Sequence, residues 1–164
     1  MAITPKEFRR ALGSFATGVC VVTCRIGERT HGITINSLTS VSLDPPLILI
    51  CVDKKAIAHE MIPQAGHFAI NILTERQREI SDYFAYRLAL DPVHELRDVP
   101  HHPGVTGSPL IDGAMAHVEC QLVERIPGGD HTIFLGQVLR AEGESDERPL
   151  LFHRGKYPRL EKAE

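Results

Sequence analysis

The stretch Gly32-Ile33-Thr34-Ile35-Asn36-Ser37-Leu38-Thr39-Ser40-Val41-Ser42-Leu43-Asp44-Pro45-Pro46-Leu47 opens with strict alternation. Ile33 and Ile35 fall on one face and Thr34 and Asn36 on the other, the period of a half-buried strand. A run of small hydroxyls follows: Ser37, Thr39, Ser40 and Ser42. Their side chains both donate and accept, and they leave room for a ligand beside the backbone. Asp44-Pro45-Pro46 stops the segment, because proline lacks the N–H that a sheet needs. Leu47-Ile48-Leu49-Ile50-Cys51-Val52 is then continuously apolar and reads as a buried strand. A polar concavity between two strands, suited to a phosphate or a heterocycle edge, is one reading. A hydroxyl-rich edge strand and loop with no ligand has the same pattern.

Upstream, Thr4-Pro5-Lys6-Glu7 is a capping box with proline at the first helical position. Phe8, Leu12 and Phe15 recur at helical spacing, so an amphipathic helix is expected from about residue 5 to 16. Gly13 inside it weakens the helix by roughly 1 kcal/mol relative to alanine. Val19-Cys20-Val21-Val22-Thr23-Cys24 is a second buried strand, turned by Ile26-Gly27-Glu28-Arg29 into a hairpin with the opening stretch.

Downstream, Asp53 is placed to cap a short helix, 56–62, stopped by Pro63. Lys54-Lys55 at that strand end is an anion site or a solvated pair. His67 to Leu73 alternates as a strand, and Thr74-Glu75-Arg76-Gln77 is a second capping box. It starts a helix reaching about Phe84-Ala85, with Ile80, Tyr83 and Phe84 as apolar anchors. Residues 87–109 carry prolines, glycines and histidines and read as one long irregular connection. His101-His102 lacks a third ligand at metal-site spacing, so no metal is expected. Residues 114–124 and 131–139 are strands joined by the turn Pro127-Gly128-Gly129-Asp130. His131 therefore stands at a strand start beside a glycine turn, as a proton donor, a ligand contact or a mere turn residue. Residues 149–157 read as a last strand.

Six or more strands in hairpin-like order, not separated by regular helices, exclude a doubly wound parallel sheet. A mainly β fold, an antiparallel β-barrel with peripheral helices, fits instead. The 164 residues suit one domain, 1–164. Apolar residues make up 43% and charged residues 24%, so the chain is an ordinary globular one. A net charge of −3 without a basic block offers nucleic acid no partner. No apolar run approaches the about 18 residues of a membrane helix, and the N-terminus lacks signal-peptide character, so a cytoplasmic protein is expected. Cys20, Cys24, Cys51 and Cys120 read as small buried hydrophobes. On one strand Cys20 and Cys24 lie about 13 Å apart, too far to bridge.

No Gly-x-Gly-x-x-Gly follows a strand, and neither Gly-x-Ser-x-Gly nor a phosphate-binding Walker loop occurs. A hydroxyl-rich pocket, two lysines and one placed histidine suit a phosphorylated heterocycle that does its own chemistry. Micromolar binding of such a ligand needs about 8 kcal/mol. Hydrogen bonds to a charged phosphate contribute roughly 1.5–3 kcal/mol each, so two or three plus ring burial suffice.

Five segments in order then carry a resemblance: Phe8 to Val19, Gly32 to Leu47, Phe68 to Leu73, Gly129-Asp130-His131, and Pro149 to Phe152 with Gly155-Lys156-Tyr157. Together they resemble the flavin reductase-like family, the short-chain NAD(P)H:flavin oxidoreductases that supply two-component monooxygenases. The resemblance spans nearly the whole chain. It implies an FMN-binding split barrel, six-stranded, antiparallel and Greek-key, working as a homodimer. It implies FMN or FAD as cofactor, NADH or NADPH as hydride donor, and a flavin-dependent monooxygenase as partner. Thr34, Asn36 and Ser37 would touch the ring edge and ribityl chain, and Ser40, Val41 and Ser42 the ribityl–phosphate end. Cys51, Val52, Asp53, Lys54, Lys55 and Ala56 would cradle the phosphate. Phe84 would flank the flavin, Tyr157 would border the pocket, and His131 would face the nicotinamide as the catalytic residue. Where relatives carry serine or threonine beside the phosphate, this chain has Lys55-Ala56. A flavin carrier or redox sensor without turnover, a flavin oxidase of a small amine, and a ligand-free interaction barrel are the competing readings.

Overall fold

The structure is a computed structural model, and it describes residues 3–86, 96–143 and 145–161. Eleven strands and three α-helices follow one another among them. Helix α1 (Pro5–Leu12) starts on the expected capping box: Thr4 Oγ1 accepts from the Glu7 N–H and the Glu7 carboxylate accepts from the Thr4 N–H. It ends four residues sooner than its periodicity predicts. At Gly13 the backbone tightens, and Ser14 and Phe15 donate to the carbonyls of Ala11 and Leu12. None of its residues is buried, which the amphipathic pattern did not announce.

Strands β2 (Cys20–Ile26) and β3 (Arg29–Ile35) form the predicted hairpin, closed by Ile26 opposite Arg29. The hydroxyl run is a strand as well: β4 (Thr39–Leu43) pairs with β5 (Pro46–Asp53) across Asp44-Pro45. Thr39, Ser40 and Ser42 are therefore held on an edge strand of the sheet.

Helix α2 (Ile57–Ala65) runs through Pro63 to Gly66. The proline forfeits one helical bond at a cost of about 3 kcal/mol, but full burial of Met61 and Ile62 returns roughly 1.5–3 kcal/mol each. Asp53 does not cap this helix; Ala56 is the N-cap, and the Asp53 carboxylate accepts from the Lys55 N–H within the preceding turn. Next come β6 (His67–Ile72), a 3₁₀ turn at Glu75–Gln77 on the second capping box, and α3 (Arg78–Tyr86).

Residues 87–95, His94 included, lie outside the described residues. The rest of the expected connection is ordered as a 3₁₀ turn, Leu96–Asp98, and a hairpin of β7 (His101–Pro103) with β8 (Pro109–Ile111). The reason is a distant acid. Glu119, only 2% exposed, accepts from the N–H groups of Val105 and Thr106 at 3.1 and 2.8 Å and from the Thr106 hydroxyl at 2.8 Å.

Strands β9 (Ala116–Gly128) and β10 (His131–Glu142) outrun their predicted lengths, so the turn between them shrinks to Gly129-Asp130. Pro127 is tolerated inside β9 because the pairing with β6 stops at Gln121, and beyond it β9 pairs with β10 alone among the described residues. The last strand, β11 (Leu151–Phe152), is short and pairs with β1 (Thr17–Gly18). A turn at His153–Lys156 interrupts the longer strand expected there.

The main sheet has seven antiparallel strands in the order β3-β2-β6-β9-β10-β5-β4, against the six that the resemblance implies. It curls around one core built on Val22, Ile50, Phe68, Ile70 and Phe134, with Met61 and Ile62 of α2 closing it from the side. A second core lies outside β2, where Val19 and Val21 meet Leu73, Phe84, Leu96, Val99 and Ile111. No strand pairing joins the two edges of the sheet among the described residues. Ser37 bridges them instead: its hydroxyl donates to the Cys51 carbonyl and accepts from the Cys51 N–H, both at 3.1 Å.

Candidate functional site

That bridge forms the floor of a cleft of about 730 Å³. Its walls are apolar: Leu12, Phe15, Leu38, Leu49 and Ile72. Its polar edge is Thr17, Asn36, Ser37 and Thr39. Each group is placed for a local reason. Asn36 follows the last residue of β3, so its amide projects where the sheet ends, and its Nδ2 donates to the Thr17 hydroxyl at 3.3 Å. Thr39 stands opposite Leu49, which puts both on the cleft side of β5. Cys51 continues that side two residues further on.

Across from it runs β10. Ile133 pairs with Cys51 and Leu135 with Leu49, and His131 pairs with Asp53. Side chains two apart share a face, so His131 lies on the cleft side, about 7 Å along β10 from Ile133. It is half-exposed, and its Nδ1 lies 2.8 Å from the Asp130 carboxylate. A carboxylate only accepts, so Nδ1 carries the proton of this bond. That hydrogen bond is the largest of the influences that hold the Asp130 carboxyl below its ordinary value; the nearby His131 and Lys54 charges act the same way. Lys54 clamps the turn beneath: its N–H donates to the Asp130 carbonyl at 3.0 Å and its Nζ to the Gly129 carbonyl at 2.6 Å.

Of the residues singled out from sequence, Asn36, Ser37 and Cys51 meet at the cleft. Val52 points into the core, and Asp53 and Ala56 close the turn after β5 through the bond from the Ala56 N–H to the Asp53 carbonyl. Lys55 is exposed and free to meet an anion, whereas Lys54 is already engaged by the Gly129-Asp130 turn. Thr34 donates its hydroxyl to the Ser81 carbonyl at 2.7 Å, which ties β3 to α3. Ser40 and Val41 are exposed and Ser42 half-buried, near the start of β5. Ser42 is registered opposite Leu47, and Asp53 lies roughly 20 Å further along β5, so Ser40–Ser42 and Lys54-Lys55 do not meet one phosphate.

Phe84 is 3% exposed and packed over Gly32, where any Cβ would come within 2.5 Å of its ring; it belongs to the second core and presents no face to the cleft. Tyr157 lies with it on the α3 side. Its hydroxyl is 3.0 Å from Ser81 Oγ and 3.2 Å from Asp82 Oδ1, and Arg78 stacks on its ring at 5.1 Å. His102 Nδ1 bonds Asp112 at 2.7 Å and His101 Nδ1 bonds the Val99 carbonyl at 2.7 Å; no trio of metal-ligating side chains gathers among the described residues.

Sequence reading missed the apolar cleft walls Leu12, the last residue of α1, and Phe15 just after it, because an amphipathic stripe normally signals core packing. It also passed over Phe152 and Arg154, which line an adjoining groove with α1. The only available sign was an arginine before Gly155 at a two-residue turn.

The donor set fits a flat heterocycle with a hydrogen-bonding edge: apolar walls for its faces, a primary amide and hydroxyls for its rim. A family profile described as flavin reductase-like domain matches residues 12–161. An NADH-dependent FAD reductase of Streptomyces globisporus is 41% identical over 162 residues, covering 96% of this chain and 88% of the relative. HsaB of Mycobacterium tuberculosis, the reductase subunit of a flavin-dependent monooxygenase, is 35% identical, with 97% of this chain and 84% of the relative covered. Among solved structures, BorF, the flavin reductase component of a bacterial two-component tryptophan halogenase, superposes with a TM-score of 0.90 at 39% identity, over 98% of this chain and 100% of that one.

Proposed function

The chain belongs to the flavin reductase-like domain family, and from that premise we propose that it is an NADH-dependent flavin reductase. It reduces FMN or FAD by hydride transfer and hands the reduced flavin to a partner monooxygenase. The observation that carries this reading is the apolar cleft edged by Asn36, open beside the strand that presents His131. We take the whole chain, 1–164, as one such domain, and the curled sheet with its Ser37 bridge supports a split barrel.

Bound flavin supplies the ring that accepts hydride. The protein's own work is placement. Leu49 and Leu38 would give that ring apolar contact, and the Asn36 amide oxygen, which has no partner among the described residues, would take a donor from its edge. Asp130 holds His131 by Nδ1, so Nε2 is presented on the cleft side to touch the nicotinamide or take a proton. Lys54 keeps that histidine's turn in place, and Lys55 is left for the phosphate. A second copy of the chain is proposed to cover Leu43, Val123, Ile126 and Leu139, which are exposed apolar side chains on and beside the open sheet. No helix among the described residues is long and apolar enough to cross a membrane, in keeping with a cytoplasmic address.

The test is nicotinamide oxidation followed at 340 nm, with FMN, FAD and riboflavin crossed against NADH and NADPH. Turnover with NADH and either phosphorylated flavin is expected. Tight stoichiometric flavin with no oxidation of either nucleotide would select the carrier or sensor reading instead.

A further inference from the structure

The turn that follows β5 carries two lysines with different partners. Within it, the Lys55 N–H donates to the Asp53 carboxylate at 2.8 Å and the Ala56 N–H to the Asp53 carbonyl at 3.0 Å. Helix α2 starts next, without a side-chain cap from Ala56. Asp53, Lys54 and Lys55 are all exposed, so water competes for every bond of this turn. Lys54 reaches out of it altogether. Its N–H meets the Asp130 carbonyl at 3.0 Å and its Nζ the Gly129 carbonyl at 2.6 Å. Both acceptors belong to the turn that carries His131.

The direction of His131 is decided in that turn. From Thr132 onward β10 is fixed: Thr132 is buried, stands opposite Val52 and bonds His59 of α2 at 2.8 Å. Before His131 little is fixed. Gly129 sits at φ +71°, and its Cβ position opens on empty space. The Asp130 carboxylate that holds His131 Nδ1 is 90% exposed, and a charged pair in water holds weakly. The Lys54 tie lies in water as well. Arrangements this close in energy change population when a ligand fixes one of their parts. An anion on Lys55 fixes the Asp53–Ala56 turn. Lys54 then reaches Gly129 from an anchored backbone, and the entropy lost in ordering that turn is not lost a second time.

We propose that Lys54 is a positioning residue that relays occupancy of the flavin phosphate at Lys55 to His131, across the two facing turns. The inference rests on the flavin reductase reading, which puts the phosphate at Lys55 and the nicotinamide at His131. It adds that a phosphorylated flavin is turned over faster than riboflavin, as well as bound more tightly.

The experiment compares saturating FMN with saturating riboflavin on the unmodified protein, Lys54→Met and Lys54→Arg. Two quantities are read: kcat for NADH oxidation, and the proton NMR signals of the His131 ring, identified by their loss in His131→Ala. In the unmodified protein, kcat is expected to be about fivefold or more higher with FMN than with riboflavin, and FMN displaces the ring signals further. Lys54→Met keeps the backbone bond to Asp130 and changes an exposed side chain, so the fold persists. Both differences between the flavins are expected to vanish in it, while FMN still binds more tightly than riboflavin through Lys55. Lys54→Arg restores both. Ring signals that FMN and riboflavin move alike in the unmodified protein overturn the proposal. So does a Lys54→Met variant that keeps the difference, or one whose kcat falls equally with both flavins, which makes Lys54 a plain structural tie. Loss of FMN affinity with riboflavin affinity unmoved in Lys54→Met also overturns it, because Lys54 is then itself a phosphate ligand. Protein in which FMN moves His131 through Lys54, yet which oxidises neither NADH nor NADPH with any flavin, loses the reductase reading and keeps the relay.

Discussion

Strands β2 and β5 carry similar apolar runs, Cys20-Val21-Val22-Thr23-Cys24 and Leu47-Ile48-Leu49-Ile50-Cys51-Val52, and the fold treats them differently. In β2 all five residues are buried, because Val22 faces the inner core while Val21 and Thr23 face α3 and the β7–β8 hairpin. In β5 burial alternates: Ile48, Ile50 and Val52 enter the core, whereas Leu47, Leu49 and Cys51 remain half-covered. An apolar run therefore says that a strand needs cover on both faces. It does not say who supplies the cover, and for β5 no described element of this chain does.

The largest test of this contrast is a charge on each strand. Val21→Asp buries an unpaired carboxylate and costs at least about 4 kcal/mol, so no cooperative melting transition is expected. Leu49→Asp should fold and melt normally but lose flavin binding, read by flavin fluorescence. If both variants unfold, β5 has no open face.

Two histidines make the same contrast more finely. His131 stands on the open side, and His131→Ala should lower NADH turnover by about 10²-fold or more while flavin affinity shifts little. Equal losses would remove its assigned role. His31, on β3 beside β2, is 5% exposed, and burial, with the Arg29 charge adding to it, depresses its pKa to about 4. The native state thus keeps His31 neutral while the unfolded chain protonates it near pH 6.5. Stability is unaffected above that value and declines as pH falls, by about 3 kcal/mol once pH is below 4. Urea melts of the unmodified protein and His31→Gln across pH 7 to 4 check this, the variant having the shallower slope. His67 moves the same way through its own burial, against the pull of Glu119.

The smallest effect separates the cysteines. Burial pushes the thiols of Cys20, Cys24 and Cys120 up to about 12, while Cys51 is half-exposed at the cleft. Iodoacetamide at pH 8 should label Cys51 alone in the native state, more slowly with FMN present. Labelling of Cys20 at a comparable rate would mean that β2 is not covered.

Much of the fold was legible locally. Both capping boxes and the β2–β3 hairpin rest on contacts between residues near in sequence, and such patterns are written in adjacent letters. What misled were features whose partners lie far away. Pro63 looks like a helix stop until Met61 and Ile62 are known to be buried. Residues 101–109 look irregular until Glu119 is seen to gather the backbone of Val105 and Thr106. Phe84 looks like a cofactor neighbour until Gly32 is found beneath it. Lys54 and Lys55 look like one anion site, yet the first is taken by the turn carrying His131.

By itself, the order of motifs from Phe8 to Tyr157 determined the family, and the strand periodicity determined a mainly β, antiparallel chain. Only the tertiary structure decided which residues of those motifs share a cleft, that Ser37 grips Cys51, and that α1 leaves Phe8, Arg9 and Arg10 around a groove. The reason is that periodicity encodes which side of an element must leave water, whereas contact between distant elements depends on how the sheet curls, and curl is a property of all seven strands at once.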